Sequence, residues 1–261
     1  MRPAGLTKSD HLELKIAVNA GDIRAAQRLR YRVFVDELGG NGPLVDHQAQ
    51  LERDQFDDHA DQLILIDKTR DPAQYDHVVG VYRLLRSPQA LAVGGFYSEG
   101  EYDLSPLKAS GREVLELGRS CLHPDFRGGP AMFHLWQGLA AYVAQHRIEI
   151  LFGVASFHGT DIAELAQPLS LLHYAHRAPP VLCPRARVYQ PMNLIPEHEI
   201  DRPAAMKATP ALIKAYLRLG GRVGDGAFVD HAFNTVDVCL VMDTARMSAK
   251  HRGIYETERG L

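Results

Sequence analysis

The stretch VLELGRSCLHPDFRGGPAMFHLW, residues 114–136, decides the fold. Its first nine residues form a largely apolar run whose length and residue types predict a buried strand. A turn with two glycines, Gly128 and Gly129, follows the strand. The segment 130–146 then predicts a helix, with Pro130 suited to its first turn. Strand, glycine turn and helix in this order indicate an α/β protein.

The sequence on either side continues the alternation of strands and helices. Residues 12–18 alternate as a strand does, and residues 21–40 repeat apolar side chains at helical spacing, with Asp22 as the expected N-cap and Gly39–Gly40 as the stop. Further strands are predicted at 63–66, 78–85, 148–157 and 236–243, and further helices at 159–172 and 211–221. Residues 40–62 predict a loop with one short helix. The expected fold class is α/β, a mixed central sheet flanked by helices.

The composition excludes several classes of protein. The chain has 261 residues, 46% of them apolar and 23% charged, which is typical of a globular protein. No run of 18 apolar residues exists, and the first residues do not form a signal peptide, so we expect a soluble cytoplasmic protein, at most peripheral to a membrane. A net charge of −3 argues against nucleic-acid binding. The three cysteines lie too far apart in sequence to indicate a disulfide framework or a zinc site.

Charge is distributed unevenly along the chain. Residues 33–82 carry eleven acids against three bases, whereas residues 165–196 and 202–224 contain no acid at all. These two acid-free stretches supply the bases Arg177, Arg185, Arg187, Arg202, Lys207, Lys214, Arg218 and Arg222. Such a basic face suits an acidic protein partner or anionic lipid, and the alternative is a solvated surface with no partner.

Several charged residues stand inside or beside apolar segments, where an unpaired charge is costly. They are Arg30, Asp54, Asp57, Arg83, Glu116 and Arg119. Charges placed in this way suggest a polar site on one side of the sheet. The alternative is an ion-pair network that only holds the loop 40–62 in place.

The turn Arg127–Gly128–Gly129 lies just before a predicted helix N-terminus. Unpaired amides at such a place can hold a phosphate, although a glycine pair is more commonly just a turn. No histidine group has the spacing and carboxylates of a metal site, so no metal is expected. Cys121 follows the central strand and is either reactive or, as buried cysteines usually are, part of the core.

Motifs along most of the chain resemble those of the ornithine N-alpha-acyltransferases. They are LRYRVFVDELG (29–39), ERDQFD (52–57), VVGVYRLL (78–85), GGFYSEGEYDL (94–104), LELGRSCLHPDFR (115–127) and LIKAYLRLGGRVGDGAFVDHAFNTVDV (212–238). The resemblance implies the acyl-CoA N-acyltransferase (GNAT-like) fold with a C-terminal extension. We therefore expect a core at 10–175 and an extension at 176–261 that packs on it, within one domain.

The first half is also similar to the acyl-homoserine-lactone synthases. Their pattern of charged residues and a phenylalanine matches here at Arg30, Phe34, Asp54, Asp57, Arg83, Glu116 and Arg119. Where those synthases carry a tryptophan six residues after the phenylalanine, this chain has Gly40, which speaks against a homoserine-lactone product. The loop after Arg127 also lacks the glycine spacing of acetyl-CoA enzymes, which favours a phosphopantetheine arm presented by a carrier protein.

The resemblance implies transfer of a long, 3-hydroxy fatty acyl group from acyl carrier protein to the α-amino group of ornithine, with no cofactor beyond the thioester donor. Glu116 and Arg119 are the expected catalytic residues. Substrate-binding residues are expected to be Arg30, Phe34, Asp54, Asp57 and Arg83, and phosphopantetheine-binding residues Arg127, Gly128 and Gly129. The alternatives are another acceptor such as glutamine or glycine, an acetyl-CoA acetyltransferase, and a non-catalytic module that binds acyl carrier protein.

Overall fold

The computed structural model describes residues 11–246. The strands are β1 (Leu12–Ile16), β2 (Asp61–Asp67), β3 (Val78–Arg86), β4 (Tyr102–Asp103), β5 (Val114–Leu122), β6 (Ile150–His158), β7 (Arg185–Ala186), β8 (Arg222–Val223), β9 (Phe228–Asp230) and β10 (Thr235–Asp243). The α-helices are α1 (Ala20–Arg30), α2 (Ser87–Val93), α3 (Ser105–Ala109), α4 (Ala131–His146), α5 (Ala166–His176), α6 (Arg202–Ala208) and α7 (Ala211–Arg218).

Most strands join one sheet with the order β1-β2-β3-β5-β6-β10-β8, and β9 pairs with β10. The pairs β1–β2, β2–β3 and β6–β10 are antiparallel, whereas β5 and β6 run parallel from Val114↔Ile150 to Glu116↔Phe152. The short strands β4 and β7 form a separate pair. The prediction of a mixed α/β protein with a central sheet and flanking helices is confirmed.

The predicted strands and helices agree with the structure at most positions. Strand β5 has the predicted bounds, and α4 begins one residue after Pro130. Helix α1 is continued by a π-helical segment, Tyr31–Glu37, and Gly39 has a φ of +74° after it, which fits the predicted stop.

Three local predictions were wrong. Asn19, not Asp22, caps α1, because the Asn19 side chain accepts a hydrogen bond from the Asp22 amide. Helix α5 begins at Ala166 rather than at 159, since Pro168 has no amide hydrogen and fits only in a first turn. The loop between β1-α1 and β2 contains turns and an isolated bridge between Asp46 and Leu51, but none of its described residues forms the expected short helix.

The described residues divide into two compact units, and the first comprises residues 11–84 and 119–142. Successive side chains of β2 point to opposite faces of the sheet, and a helix packs on each face. Leu63 faces α4, where Gly138 allows close approach. Ile64 and Ile66 face the other way and pack with Leu29 of α1.

The second unit comprises residues 85–118 and 143–246. Its centre is the long antiparallel pair of β6 and β10, which stays in register from Ile150↔Asp243 to His158↔Thr235. Gly153 lets the β6 backbone lie against Leu117 of β5, since a Cβ there would collide with the Leu117 carbonyl oxygen. Helix α5 contacts α6 and β8, and α7 contacts β10.

The expected boundary between a core at 10–175 and an extension at 176–261 stays a prediction. Strand β10 of that extension pairs with β6 over nine residues. Among residues 11–246, no helix is both long enough and apolar enough to cross a membrane.

Candidate active site

Arg30 is the centre of a buried ion-pair network in the first unit. It lies at the end of α1, and its side chain has 0% exposure. The guanidinium donates from Nε to Glu52 Oε2 at 2.5 Å and from Nη1 to Asp57 Oδ1 at 2.6 Å. A fully buried charge with two charge-assisted bonds holds the loop after α1 against the helix.

Two further arginines reach the same carboxylates from β3 and β5. Arg83 donates from Nη1 to both oxygens of Asp54 at 2.6 and 2.5 Å, and its distance to Asp57 Oδ1 is 3.4 Å. Arg119 donates from Nε to Glu52 Oε1 and from Nη2 to Asp54 Oδ2, both at 3.1 Å. Three arginines and three carboxylates therefore form one network, which we call the charge cluster: Arg30, Glu52, Asp54, Asp57, Arg83 and Arg119.

Sequence reasoning placed five of these residues among the site candidates and missed Glu52. This carboxylate has 1% exposure and bridges Arg30 and Arg119. Burial raises the pKa of Glu52, but the charges of Arg30 and Arg119 lower it by more than burial raises it. The pKa therefore lies below its ordinary value, and Glu52 is held ionised. The sequence did contain one indication of Glu52, because it is the first residue of ERDQFD, the motif that also contains Asp54 and Asp57.

The formal charges of the cluster sum to zero. Burial lowers the pKa of Arg30, yet the charges of Glu52 and Asp57 raise it well above the ordinary value, so Arg30 stays protonated. Asp57 also accepts a hydrogen bond from Gln27 Nε2 at 3.0 Å. This charge-balanced network agrees with the second interpretation of these residues, an ion-pair network that holds the loop 40–62 in place.

Asp54 gives a prediction for stability at low pH. Burial raises the pKa of Asp54, but the charges of Arg83 and Arg119 lower it by more than burial raises it. The net effect lowers this pKa from 3.8 to about 2. A carboxyl with a lowered pKa in the folded state stabilises the fold above its ordinary pKa, and that contribution is lost as the pH falls from about 4 to about 2. We expect about 2 kcal/mol of unfolding free energy to disappear over this range.

Urea unfolding between these pH values, for the unmodified protein and for Asp54→Asn, tests this. The Asp54→Asn variant should show a flatter pH dependence, and an unchanged slope would contradict the pKa assignment. Activity per folded molecule, measured alongside, separates two roles of Asp54. Unchanged activity with lower stability indicates an anchor for the loop, and lost activity with kept stability indicates contact with substrate.

Arg119 has an unusual backbone. Its φ is +49° in the middle of β5, in the left-handed region that costs a residue with a side chain about 1–2 kcal/mol. A strand residue in this conformation breaks the regular alternation and redirects its side chain. Here the redirected guanidinium donates to Glu52 and Asp54. Sequence reasoning selected Arg119 but gave no indication of this conformation.

Glu116 belongs to the second unit and has 4% exposure. Its Oε2 accepts a hydrogen bond from the Tyr97 amide at 2.9 Å, and its Oε1 accepts one from the Ser98 amide at 2.7 Å. These amides open the short 3-10 turn Tyr97–Gly100. These two donated hydrogen bonds hold the Glu116 carboxylate in a fixed position.

Phe34 lies in the π-helical segment after α1. Its ring is half-buried and packs against the apolar cluster that contains Leu29, Val33 and Cys121. Cys121 is itself buried, and burial raises the pKa of its thiol to about 12. The thiol is therefore neutral at ordinary pH, as expected of a cysteine that packs in a core.

The turn before α4 contains the three residues that we expected to bind phosphopantetheine. Gly128 has a φ of +71°, and space is open around it. Arg127 does not point freely into solvent, since its guanidinium forms a two-fold ion pair with Glu37 at 2.5 and 2.7 Å. The hydrogen bonds from Arg127 lower the pKa of Glu37. The glycines precede the helix N-terminus as predicted, and their binding role stays a prediction.

Among the described residues, one group of carboxylates has the spacing of a metal site. Ligand oxygens of Glu101, Asp230 and Asp237 lie within 4.8 Å of one another in the second unit. Acidic groups with this spacing are common without an ion, and the expectation of no metal stays a prediction.

The comparison with protein families supports the fold. Residues 29–137 match the family described as acetyltransferase (GNAT) domain. Two solved structures have similar folds at low sequence identity. FeeM, an N-acyl amino acid synthase from uncultured soil microbes, is 12% identical with a TM-score of 0.52, over 90% of this chain and 92% of that one. BjaI, a CoA-dependent acyl-homoserine lactone synthase, is 13% identical with a TM-score of 0.50, over 95% and 88%. The predicted acyl-CoA N-acyltransferase fold is confirmed.

Curated relatives are similar over nearly the full chain. An L-ornithine N(alpha)-acyltransferase of Rhodobacter capsulatus is 61% identical over 243 residues, which is 93% of this chain and 94% of the relative. The protein of that name from Brucella abortus is 41% identical over 251 residues, 95% and 89% of the two chains.

Proposed function

This chain belongs to the L-ornithine N(alpha)-acyltransferase family, and we propose that it moves a 3-hydroxy fatty acyl group from acyl carrier protein to the α-amino group of L-ornithine. The observation that carries the acceptor and the reaction is the identity of 61% over 93% of the chain to a relative of that name. The product of this reaction is an N-acylated ornithine with a long hydrocarbon chain, which is a lipid.

The chemistry is attack of an amine on a thioester. The α-ammonium group loses one proton to a base, and its nitrogen forms a bond to the acyl carbon. The carbon–sulfur bond breaks, and a second proton passes from the nitrogen to the sulfur, which releases the phosphopantetheine thiol and leaves an amide. The enzyme has to hold the amine near the carbonyl, take up the proton and stabilise the oxyanion. The thioester supplies the activation, so we propose that the reaction needs no resident cofactor.

Glu116 is our candidate for binding the ammonium group and accepting its proton. A carboxylate that the Tyr97 and Ser98 amides fix in position is suited to this role. We assign Arg119 to carboxylate binding or to charge stabilisation near the reacting groups.

Asp54 and Asp57 are better suited to anchoring than to binding the cationic side chain of ornithine. Each has arginine partners within the charge cluster, at distances of 2.5 to 2.6 Å for the closest atoms. A carboxylate whose charge is already compensated attracts a second cation weakly. We propose that they hold Arg30, Arg83 and the loop in the position that substrate binding requires.

The donor loop supports a carrier protein over coenzyme A. After Arg127 the chain reads Gly128, Gly129, Pro130, Ala131, so the glycines of an acetyl-CoA loop are absent at their spacing. The open space at Gly128, just before α4, leaves room for a phosphopantetheine arm. We also propose that the enzyme works in the cytoplasm and contacts the membrane peripherally, where its lipid product goes.

Acyl carrier proteins are acidic, and we propose that they dock on the acid-free stretch 202–224. Its bases include Arg218, which is exposed at the end of α7, and Arg222, which donates to the Ala175 carbonyl. The large hydrophobic residues of this stretch are buried or half-buried, which suits a contact dominated by charge.

Charge reversal tests the docking. We expect Arg218→Glu to raise KM for acylated carrier protein about three- to tenfold and to leave the ornithine KM nearly unchanged, because exposed charges steer association. The KM of the unmodified protein should rise with salt, since screening acts over about 8 Å at physiological ionic strength. Lys68→Glu, on the exposed turn after β2, is the matched control. Insensitivity to both salt and Arg218→Glu would contradict docking here.

A donor comparison tests the proposed function itself. The purified protein is given ornithine with 3-hydroxyacyl carrier protein, with the same acyl group on coenzyme A, or with acetyl-CoA. We expect the highest kcat/KM with the carrier protein. Preference for acetyl-CoA would make the chain an acetyltransferase, and no transfer from any donor would favour a non-catalytic carrier-binding module.

A further inference from the structure

The segment 177–189 of the second unit exposes apolar and basic side chains together. Between Val181 and Arg187 burial alternates, so that Leu182, Pro184 and Ala186 face inward while Val181, Arg185 and Arg187 face outward. Val181 is 74% exposed and Val188 is 70% exposed, and the partly exposed Tyr189 follows Val188 directly in sequence. We call these exposed residues the apolar-basic strip: Arg177, Val181, Arg185, Arg187, Val188 and Tyr189.

The backbone of the strip is firmly held. The Ala178 amide donates to the Val223 carbonyl at 2.8 Å, the Ala186 amide to Asp225 at 3.0 Å and the Gln190 amide to Ala227 at 3.0 Å. Hydrogen bonds at these three points hold a segment that is otherwise irregular. The outward valines are therefore presented by a fixed backbone, and burying them needs no rearrangement of the chain.

The arginines of the strip also have defined positions. Asp225 is buried and pairs with Arg177 at 2.8 Å and with Arg185 at 2.5 Å, and the Arg185 guanidinium lies 4.2 Å from the centre of the Tyr189 ring. Asp103 faces Arg185 across the β4–β7 pair. Against these two acids the strip has three arginines, and the side chains of Arg177 and Arg185 remain 43% and 60% exposed.

We propose that the apolar-basic strip is a docking surface for an anionic lipid bilayer, an inference that rests on the proposed function because it assumes a lipid product. The valine side chains enter the boundary between headgroups and acyl chains, and the guanidinium groups contact phosphates. Docking through this surface places the enzyme on the membrane that receives the acylated ornithine.

The apolar-basic strip has exposed apolar side chains, and in this it differs from the acid-free stretch 202–224 proposed to bind acyl carrier protein. Residues 202–224 present bases without an exposed large hydrophobic residue, which suits an acidic protein in water. The strip adds two exposed valines and the partly exposed Tyr189 to its arginines. Exposed aliphatic side chains lose contact with water on entering a bilayer, which favours lipid as the partner of this surface.

Vesicle flotation tests the proposal. The full chain is mixed with vesicles of phosphatidylcholine alone or of phosphatidylcholine with one third phosphatidylglycerol. We expect binding to the anionic vesicles, about tenfold weaker for the double variant Val181→Asn/Val188→Asn, and weaker also for Arg187→Gln. Val18→Asn is the matched control, because Val18 is 82% exposed in the first unit and outside the strip. It should bind as the unmodified protein does.

The rate of acyl transfer to ornithine, measured without vesicles, separates this proposal from the proposed function. The double variant should keep that rate. Absence of vesicle binding by the unmodified protein, or equal binding by the double variant, would overturn the proposal and leave the transferase assignment intact. A higher KM for acylated carrier protein with unchanged vesicle binding would assign the strip to the carrier protein and likewise overturn the membrane role.

Discussion

Replacing Arg30 by methionine is expected to lower the free energy of unfolding by about 3–5 kcal/mol. Arg30 is fully buried and contacts both Glu52 and Asp57. Its removal leaves two buried carboxylates without their main cation, and that penalty exceeds the value of the pair itself. Urea unfolding followed by circular dichroism measures the loss. Arg24→Met, at an exposed arginine of the same helix, should change stability by less than about 1 kcal/mol.

The electrostatic cause of the Arg30 effect has its own signature. Arg30 lowers the pKa of Glu52, so without Arg30 this buried carboxylate takes up a proton more readily in the folded state, and acid relieves part of the penalty. The difference between the variant and the unmodified protein should therefore shrink as the pH falls below about 4. A loss that is independent of pH would indicate that packing, rather than charge, makes Arg30 important.

Substituting Glu116 by glutamine should remove about 10²–10⁴ of the transfer rate, the usual effect of losing a positioned acid–base group. Glutamine has one accepting oxygen, so one of the amides of Tyr97 and Ser98 loses its acceptor. Melting curves are therefore measured with the kinetics. Glu113→Gln, at an exposed carboxylate just before β5, is the matched control and should keep both rate and stability.

The pH dependence of kcat separates a catalytic Glu116 from one that only holds the Tyr97–Gly100 turn. Loss of a proton acceptor changes the pH–rate profile, because its ionisation no longer limits the reaction. A purely structural role lowers stability and leaves the shape of the profile unchanged. Full activity in a folded Glu116→Gln protein would end the assignment.

Long elements were predictable because their periodicity spans many residues. Strand β5 and helix α4 have nearly the predicted bounds. The apolar run marks the strand, and the glycine turn after it marks where the helix can begin. The short strands β4 and β7 could not be found in this way. Each has two residues, and they are strands only because Tyr102 pairs with Ala186, 84 positions away in sequence. Local sequence carries no periodic signal for such a pair.

Charged residues of the site were predictable where they stand in apolar surroundings. Arg83 and Arg119 attracted attention because a strand makes an isolated charge costly. Glu52 lies in a polar loop, where one more acid is unremarkable, so only the fold reveals that it is buried between Arg30 and Arg119. The division of partners among the three arginines, and the positive φ of Arg119, depend on tertiary structure and have no local signature.

The most direct test of the central claim is to identify the acylated amine. The purified protein is incubated with 3-hydroxyacyl carrier protein and an equimolar mixture of ornithine, glutamine and glycine, and tandem mass spectrometry locates the acyl group. We expect ornithine acylated on the α-nitrogen as the dominant product, and we expect this product to be lost in Glu116→Gln. Acylation of glutamine or glycine in preference, or of the side-chain nitrogen of ornithine, would contradict it.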